Sequence, residues 1–257
     1  MTDERLYDDL ASDYHLLFAD WEASVRRQGG VLDALIASEL RQGPKSILDC
    51  SCGIGTQSIG LALCGHQVTG TDLSSKAVAR ARLEAERLGA AAAFDVCDVR
   101  ELSRSLAGVF DVVLSCDNAL PHLLSEQDLE TAVQEMVGKT TSGGMVIAST
   151  RDYDSILNER PSSTPVGVLN TPEGKRISFQ VWEWAEDGRT YEFDQVIGEE
   201  HGGSWTFKTW RGTYRAIMRK ELSDTFERAG LVQVRWMEPA DSGFFQPLIL
   251  ARKRGSP

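Results

Sequence analysis

Basic residues are in short supply in this chain. Lys and Arg number 27 against 38 Asp and Glu, a formal net charge of −11 over 257 residues. A protein that grips nucleic acid carries a basic field, so this balance argues against DNA or RNA as a partner. Long apolar runs are also lacking. None reaches the roughly 20 residues needed to cross a bilayer, so no membrane partner is expected. The opening Met1-Thr2-Asp3-Glu4-Arg5 is polar, and no apolar stretch of the signal-peptide kind follows it. Cysteine is limited to five residues, Cys50, Cys52, Cys64, Cys97 and Cys116. An odd number spread through apolar segments reads as reduced packing thiols in a cytoplasmic protein. Cys50 and Cys52 share one strand face but have no second Cys or His pair nearby. His15, His66 and His201 show no ligand spacing, so no metal site is expected. Repeats, low-complexity tracts and linkers are absent. The 42% hydrophobic and 25% charged residues fit an ordinary globular chain organised as one domain.

What is present concentrates at Ser46-Ile47-Leu48-Asp49-Cys50-Ser51-Cys52-Gly53-Ile54-Gly55-Thr56-Gln57-Ser58. An apolar strand runs into a glycine turn that opens a helix. A second strand, Gln67-Val68-Thr69-Gly70-Thr71, ends in Asp72. Strand, glycine turn, helix and an acid closing the next strand form a nucleotide-type site on a parallel sheet. A dinucleotide site wants a third glycine where a pyrophosphate meets the helix end, and here that position is Ser58. Gly53 and Gly55 suffice for a ligand without phosphate, because glycine tolerates positive φ and close backbone approach. Asp72 is placed to accept hydrogen bonds from two ribose hydroxyls. The segment resembles motif I of the class I S-adenosylmethionine-dependent methyltransferases, with its acid at Asp49 rather than at position 50 or 51. The resemblance implies S-adenosylmethionine as cofactor and S-adenosylhomocysteine as product.

Periodicity predicts the elements. Residues 1–20 read as a helix and a half, and 22–41 as a second helix stopped by Gly43-Pro44. Strands follow at 45–50, 67–72, 91–96 and 109–116, with helices at 56–64, from Ser74 to Gly89, and at 125–138. Gly143-Gly144 is read as the turn into a fifth strand, 145–149. Residues 175–215 then alternate apolar and polar, with Asp187-Gly188 as a hairpin signal. A helix from 219 to Gly230 and strands near 231–237 and 245–252 close the chain. The expected fold is α/β: a Rossmann-like seven-stranded methyltransferase sheet with helices on both faces and a small antiparallel insert after strand five. Its parts are an N-terminal helical lid (1–43), a cofactor-binding core (44–150), a substrate-side insert (151–218) and a final helix with terminal hairpin (219–257).

Ligands of open α/β sheets lie beyond the carboxyl ends of the strands. On that rule Cys50, Gly53 and Gly55 pass under the methionine part of the cofactor, and Asp72 holds the ribose. Leu73 packs on adenine, Asp98 and Val99 flank it, and Cys116 lies under the sulfonium end. Further short matches resemble the glycine and sarcosine N-methyltransferases. Asp117-Asn118-Ala119-Leu120-Pro121-His122-Leu123 is similar to their Gly-Asn-Ser-x-x-His-Leu, with Asp117 and Ala119 departing. Thr150-Arg151-Asp152-Tyr153-Asp154 is similar to their Arg-Asn-Tyr-Asp, and Trp210 to Arg215 to a segment carrying a substrate-contacting Tyr. This resemblance implies Asn118 orienting a nitrogen, His122 as proton acceptor, Arg151 clamping a carboxylate, and Tyr214 in contact with the acceptor. It also implies a lid holding Tyr14 and Trp21. Where relatives place an Arg for the methionine carboxylate, Ser24 stands, with Arg26 and Arg27 close by.

The implied activity is methyl transfer to a nitrogen of a small molecule such as glycine or sarcosine. A natural-product N- or O-methyltransferase acting on a heterocycle, a toxoflavin-like azapteridine for example, remains the alternative. A third reading is a binding regulator without turnover. Arg151 also reads as a structural partner of Asp152 or Asp154, His122 as a capping residue, and the aromatic run Trp182, Trp184, Tyr191, Trp205, Trp210 as insert core. The insert suits a dimer contact as well as a site cover, so a homo-oligomer stays open.

Overall fold

The computed structural model describes residues 3–171 and 174–255. Helix α1 (Asp3–Leu10) and a 3-10 turn (Tyr14–Leu17) precede α2 (Trp21–Glu39), which Asp20 caps by accepting from the Ala23 N–H. The alternating core is β1 (Ser46–Asp49), α3 (Thr56–Leu63), β2 (Gln67–Asp72), α4 (Ser75–Leu88) and β3 (Ala92–Val96). It continues through a short α5 (Leu102–Ser105), β4 (Phe110–Ser115), α6 (Glu126–Lys139) and β5 (Thr140–Ser149). The second half comprises α7 (Tyr153–Glu159), β6 (Gly167–Thr171), β7 (Gly174–Trp184), β8 (Thr190–His201) and β9 (Ser204–Arg215). The chain ends with α8 (Arg219–Arg228), β10 (Leu231–Met237), a one-turn α9 (Pro239–Ser242) and β11 (Leu248–Lys253).

Seven strands form one sheet in the order β10-β11-β5-β4-β1-β2-β3. Neighbours from β5 to β3 are parallel, and β11 runs antiparallel to both β5 and β10. The central strands bury both faces, which explains their continuous apolar runs. Leu48, Val113, Val146 and Ile249 point to one side, against Leu129, Val133, Met136, Leu222 and Phe226 of α6 and α8. Ile47, Val112, Leu114, Ile147 and Leu250 point to the other, against Leu32, Leu35, Ile36 and Leu61 of α2 and α3. The period of two along each strand thus feeds two helical layers. Strands β6-β7-β8-β9 form a separate antiparallel sheet.

Two sequence expectations need correction. Gly143-Gly144 does not turn into the fifth strand: β5 begins at Thr140 and passes through both glycines, with an irregular register against β4 between Phe110 and Val112. A glycine pair at such an irregularity mimics a turn signal. The insert holds four strands, the first of them, β6, lying before the alternating stretch 175–215, and α7 ahead of it was unforeseen.

Helices α2 and α3 cross in backbone contact. A Cβ on Gly60 would lie 2.3 Å from the Val25 carbonyl oxygen, and one on Gly29 would lie 2.3 Å from the Gly60 carbonyl carbon. This contact sets the helix that follows the glycine turn against α2. Gly60→Ala should lower stability by about 2 kcal/mol, and Tm by about 5 °C, although alanine is the better helix former. An unchanged or raised Tm in a thermal melt would show that the crossing is not tight.

Candidate active site

The turn after β1 places Gly53 and Gly55 at positive φ (52° and 94°), and Gly55 caps α3 in the left-handed conformation. The Gly53 N–H donates to Asp72 Oδ2 at 2.8 Å, and the Ser74 N–H donates to Asp72 Oδ1 at 2.9 Å. Both carboxylate oxygens are thus oriented from the backbone while lone pairs remain for a ligand. Burial raises the Asp72 carboxyl above its ordinary range against these two hydrogen bonds. Asp72 lines a cavity of about 570 Å³ along the strand ends, together with Cys50, Gly53, Leu73, Asp98, Val99 and Cys116.

Asp98 is more engaged than expected. Burial works to raise its carboxyl, yet the Arg100 guanidinium, 2.6 Å away, holds it below the ordinary value. Arg100 also reaches Asp128 at 2.8 Å. Asp49 lies in the core, outside the cavity lining, taking hydrogen bonds from Ser58 Oγ at 2.6 Å and from the Ser51 N–H. Burial lifts its carboxyl from 3.8 to about 7. Burial likewise pushes the Cys50 and Cys116 thiols well above their ordinary range, so both act as packing groups.

A second cavity, of about 450 Å³, lies between the N-terminal segment, the β4 and β5 ends and the antiparallel sheet. Asn118, Arg151 and Tyr214 line it, with Phe179, Gln180 and Phe193. Arg151 donates to Gln180 Oε1 at 2.8 Å and to Tyr191 Oη at 3.2 Å. Its guanidinium lies 5.2 Å from the ring centroids of both Trp182 and Tyr214. Asp152 and Asp154 are instead within ion-pair distance of Arg219. Among the described residues no carboxylate is in ion-pair contact with Arg151. Tyr214 stacks on Phe193 at 4.5 Å and packs against His122 at 4.3 Å. His122 lines the strand-end cavity rather than the second one, and it shares a 2.7 Å hydrogen bond with Tyr7 Oη.

The loop after β4 is strained. Asp117 and Asn118 stand at φ of 59° and 63°, consecutive non-glycine residues in the left-handed region. Such residues cost on the order of 1–3 kcal/mol each, with Asp and Asn at the low end, and cluster at functional sites. Asp117 N–H donates to Ser149 Oγ at 2.8 Å, and Asn118 N–H to the Ser149 carbonyl at 3.2 Å. Asn118 Oδ1 accepts from the Arg151 N–H at 3.0 Å, while Asn118 Nδ2 has no acceptor among the described residues.

Tyr7, Tyr14 and Asp117 line both cavities. Tyr14 Oη donates to Asp117 Oδ2 at 2.9 Å. Neither Tyr7 nor Asp117 is among the site residues that the sequence singles out. Asp117 carried a signal, since it stands where the similar motif has glycine. Trp21 does not reach either cavity. It is buried at the start of α2 and donates to Thr56 Oγ1 at 2.9 Å, so it pins the segment from beneath. Of the basic candidates on α2, Arg27 lines the second cavity, while Arg26 pairs with Glu22. Trp182 and Tyr191 support Arg151 from behind. None of Trp182, Trp184, Tyr191, Trp205 or Trp210 lines the cavity.

Residues 47–144 match the family described as "Methyltransferase domain". Over 158 residues the chain is 32% identical to the glycine/sarcosine N-methyltransferase of Parasynechococcus marenigrum (strain WH8102), covering 62% of this chain and 55% of that protein. It is 35% identical over 125 residues to the ubiquinone biosynthesis O-methyltransferase of Dechloromonas aromatica (strain RCB), covering 49% and 50%. The crystal structure of an S-adenosylmethionine-dependent methyltransferase from Clostridium acetobutylicum ATCC 824 superposes with a TM-score of 0.74 at 14% identity, over 97% of this chain and 99% of that one. The family match spans the core from β1 into β5. The chain spans about half the length of the curated relatives it matches. The strand-end cavity fits S-adenosylmethionine. Asp72 retains lone pairs for a diol, Leu73 and Val99 offer apolar walls, and no pyrophosphate cradle is built. Among the described residues no helix is long and apolar enough to cross a membrane.

Two predictions concern the strand-end cavity and the turn beside it. Asp72→Ala should weaken S-adenosylhomocysteine binding on the order of 100-fold in calorimetry, because two hydrogen bonds to a charged group disappear. Wild-type affinity would remove Asp72 from the ribose. Asp49, with its raised pKa, binds its proton more tightly folded than unfolded, so its contribution to stability is lost as pH climbs from about 4 to about 7. Asp49→Asn should therefore gain Tm relative to wild type between pH 5 and pH 8. Parallel Tm–pH curves for the two proteins would contradict this.

Proposed function

We propose that this chain methylates a nitrogen of a small amine that carries a carboxylate, with glycine and sarcosine as the smallest members of the class. The observation that carries this reading is Arg151. It is a guanidinium facing the second cavity, flanked by two aromatic rings and held by neutral acceptors, with no carboxylate in ion-pair contact among the described residues. A partly enclosed charge left without a counter-ion is costly, and a bidentate carboxylate is its best partner. The cavity of about 450 Å³ exceeds what glycine fills, so an amino acid with an apolar portion packed on Phe179 and Phe193 suits it better.

S-adenosylmethionine supplies an already activated methyl group when bound. The protein's task is to place a nitrogen lone pair against it and keep water out, and orientation of this kind can contribute on the order of 7–11 kcal/mol. Asn118 Nδ2, a donor without an acceptor of its own, would hold an oxygen of the acceptor's carboxylate and so aim the nitrogen. Tyr7 borders both cavities and shares a hydrogen bond with His122. It would pass the acceptor's proton to the imidazole: the Tyr7 oxygen takes one proton as its own moves to Nε2. Burial keeps the Tyr7 hydroxyl well above its ordinary pKa, so it serves as a conduit rather than a base. The division into lid (1–43), cofactor core (44–150), substrate-side insert (151–218) and closing elements (219–257) is part of this proposal. Leu6, Tyr7, Leu10 and Tyr14 support the roof role of the first part.

A heterocycle acceptor is the second reading, favoured by the cavity's size, its aromatic lining and the O-methyltransferase relative. Arg151→Lys separates the two. For a carboxylate acceptor it should raise KM on the order of 10- to 100-fold with S-adenosylmethionine affinity nearly intact, since lysine cannot make the planar two-point contact. An unchanged KM would sink the carboxylate role.

A further inference from the structure

Among the described residues lining the second cavity, Asp117 is the only acid, and Arg27 and Arg151 are the only Lys or Arg. Its left-handed backbone position is one that glycine would fill without strain, so backbone geometry does not call for a carboxylate there. The carboxylate has one oxygen occupied by the Tyr14 hydroxyl. Among the described residues no cation is in ion-pair contact with it. Burial holds its carboxyl above the ordinary range, and the Tyr14 hydrogen bond and the Arg151 charge only partly offset this. An acid kept at the junction of two cavities, unpaired and strained, is matched by a ligand cation.

We propose that Asp117, steadied by Tyr14, receives the ammonium of the acceptor, so that the chamber selects molecules carrying both an ammonium and a carboxylate. The inference rests on the carboxylate reading of Arg151 and goes past it. Asp117 and Arg151 line one chamber that Asn118 also faces, and the Arg151 N–H fixes the Asn118 side chain. A zwitterion presents complementary charge to both ends, and a flat neutral ring to neither. Asp117 is thus a specificity-determining residue. It holds the ammonium beside Tyr7, the entrance to the His122 relay. The cofactor's own amino group is the other alkylammonium within reach, because Asp117 also lines the strand-end cavity.

The test is calorimetry on the full chain saturated with S-adenosylhomocysteine. The probes are glycine, sarcosine and phenylalanine, each beside its N-acetyl form, which keeps the carboxylate and loses the ammonium. Asp117→Asn keeps the shape and tolerates the left-handed backbone, and Asp117→Gly removes the side chain where glycine is unstrained. Both variants should bind the free amines about 10- to 100-fold more weakly, with the N-acetyl forms and S-adenosylhomocysteine unchanged. Arg151→Lys should weaken free and N-acetyl forms alike. Amine binding in both Asp117 variants equal to wild type would overturn the proposal and leave Arg151 standing. A loss confined to S-adenosylhomocysteine would assign the charge to the cofactor and also overturn it. Wild-type protein that binds S-adenosylhomocysteine but none of the carboxylate probes would overturn the Arg151 reading, and this one with it.

Discussion

The site depends on the left-handed step at Asp117-Asn118. Two backbone N–H groups of this step are tied to Ser149 at the end of β5, and the Asn118 side chain is tied to the backbone of Arg151. Ser149 Oγ in turn donates to Gln246, at the approach to β11. Three strand ends are thereby locked into one corner. The lock holds two residues in conformations they would not choose alone. What it gains is position: the chain after β4 turns so that Asp117 faces both cavities and Asn118 faces the acceptor side. A relaxed loop would let these groups swing by more than the sub-ångström tolerance that in-line transfer demands.

Around that corner charge is divided by location. In the strand-end cavity Asp72 is held by backbone N–H groups and Asp98 by Arg100. In the second cavity Asp117 and Arg151 have neutral hydrogen-bond partners, Tyr14 for the acid and Gln180 and Tyr191 for the arginine. The N-terminal segment closes the arrangement. Asp8 accepts from Ser74 Oγ at 2.6 Å, and Leu6 packs among Tyr153, Trp182 and Tyr191 of the acceptor half. One helix therefore touches both halves of the site.

Much of the cofactor half was legible in the sequence because it is built from local rules. Period-two strands, the glycine turn and a strand-terminal acid each follow from a few adjacent residues; Gly53 and Asp72 line the strand-end cavity, while Gly55 caps α3 outside its lining. The acceptor half was legible mainly through short motif resemblance, which pointed at Asn118, Arg151 and Tyr214. Its errors have physical causes. Trp21 has the same apolar, helix-starting pattern whether it roofs a cavity or pins Thr56 from below. The insert's tryptophans alternate correctly along their strands, but which face meets the site is set by how the second sheet packs. The role of Asp117 was legible only as a departure from the similar motif, since a single left-handed residue leaves no periodic trace, and that of Tyr7 was hidden because it arises from a contact 115 positions away.

The most direct test of the account is an S-adenosylhomocysteine-release assay on the full chain with two acceptor panels. One holds glycine, sarcosine, dimethylglycine, guanidinoacetate and larger amino acids. The other holds purine- and pteridine-like heterocycles without a carboxylate. The charge layout of the second cavity predicts turnover on the first panel and little on the second. Turnover confined to the second would leave the fold and cofactor site in place and contradict the assignment of Arg151 and Asp117 to a zwitterionic acceptor.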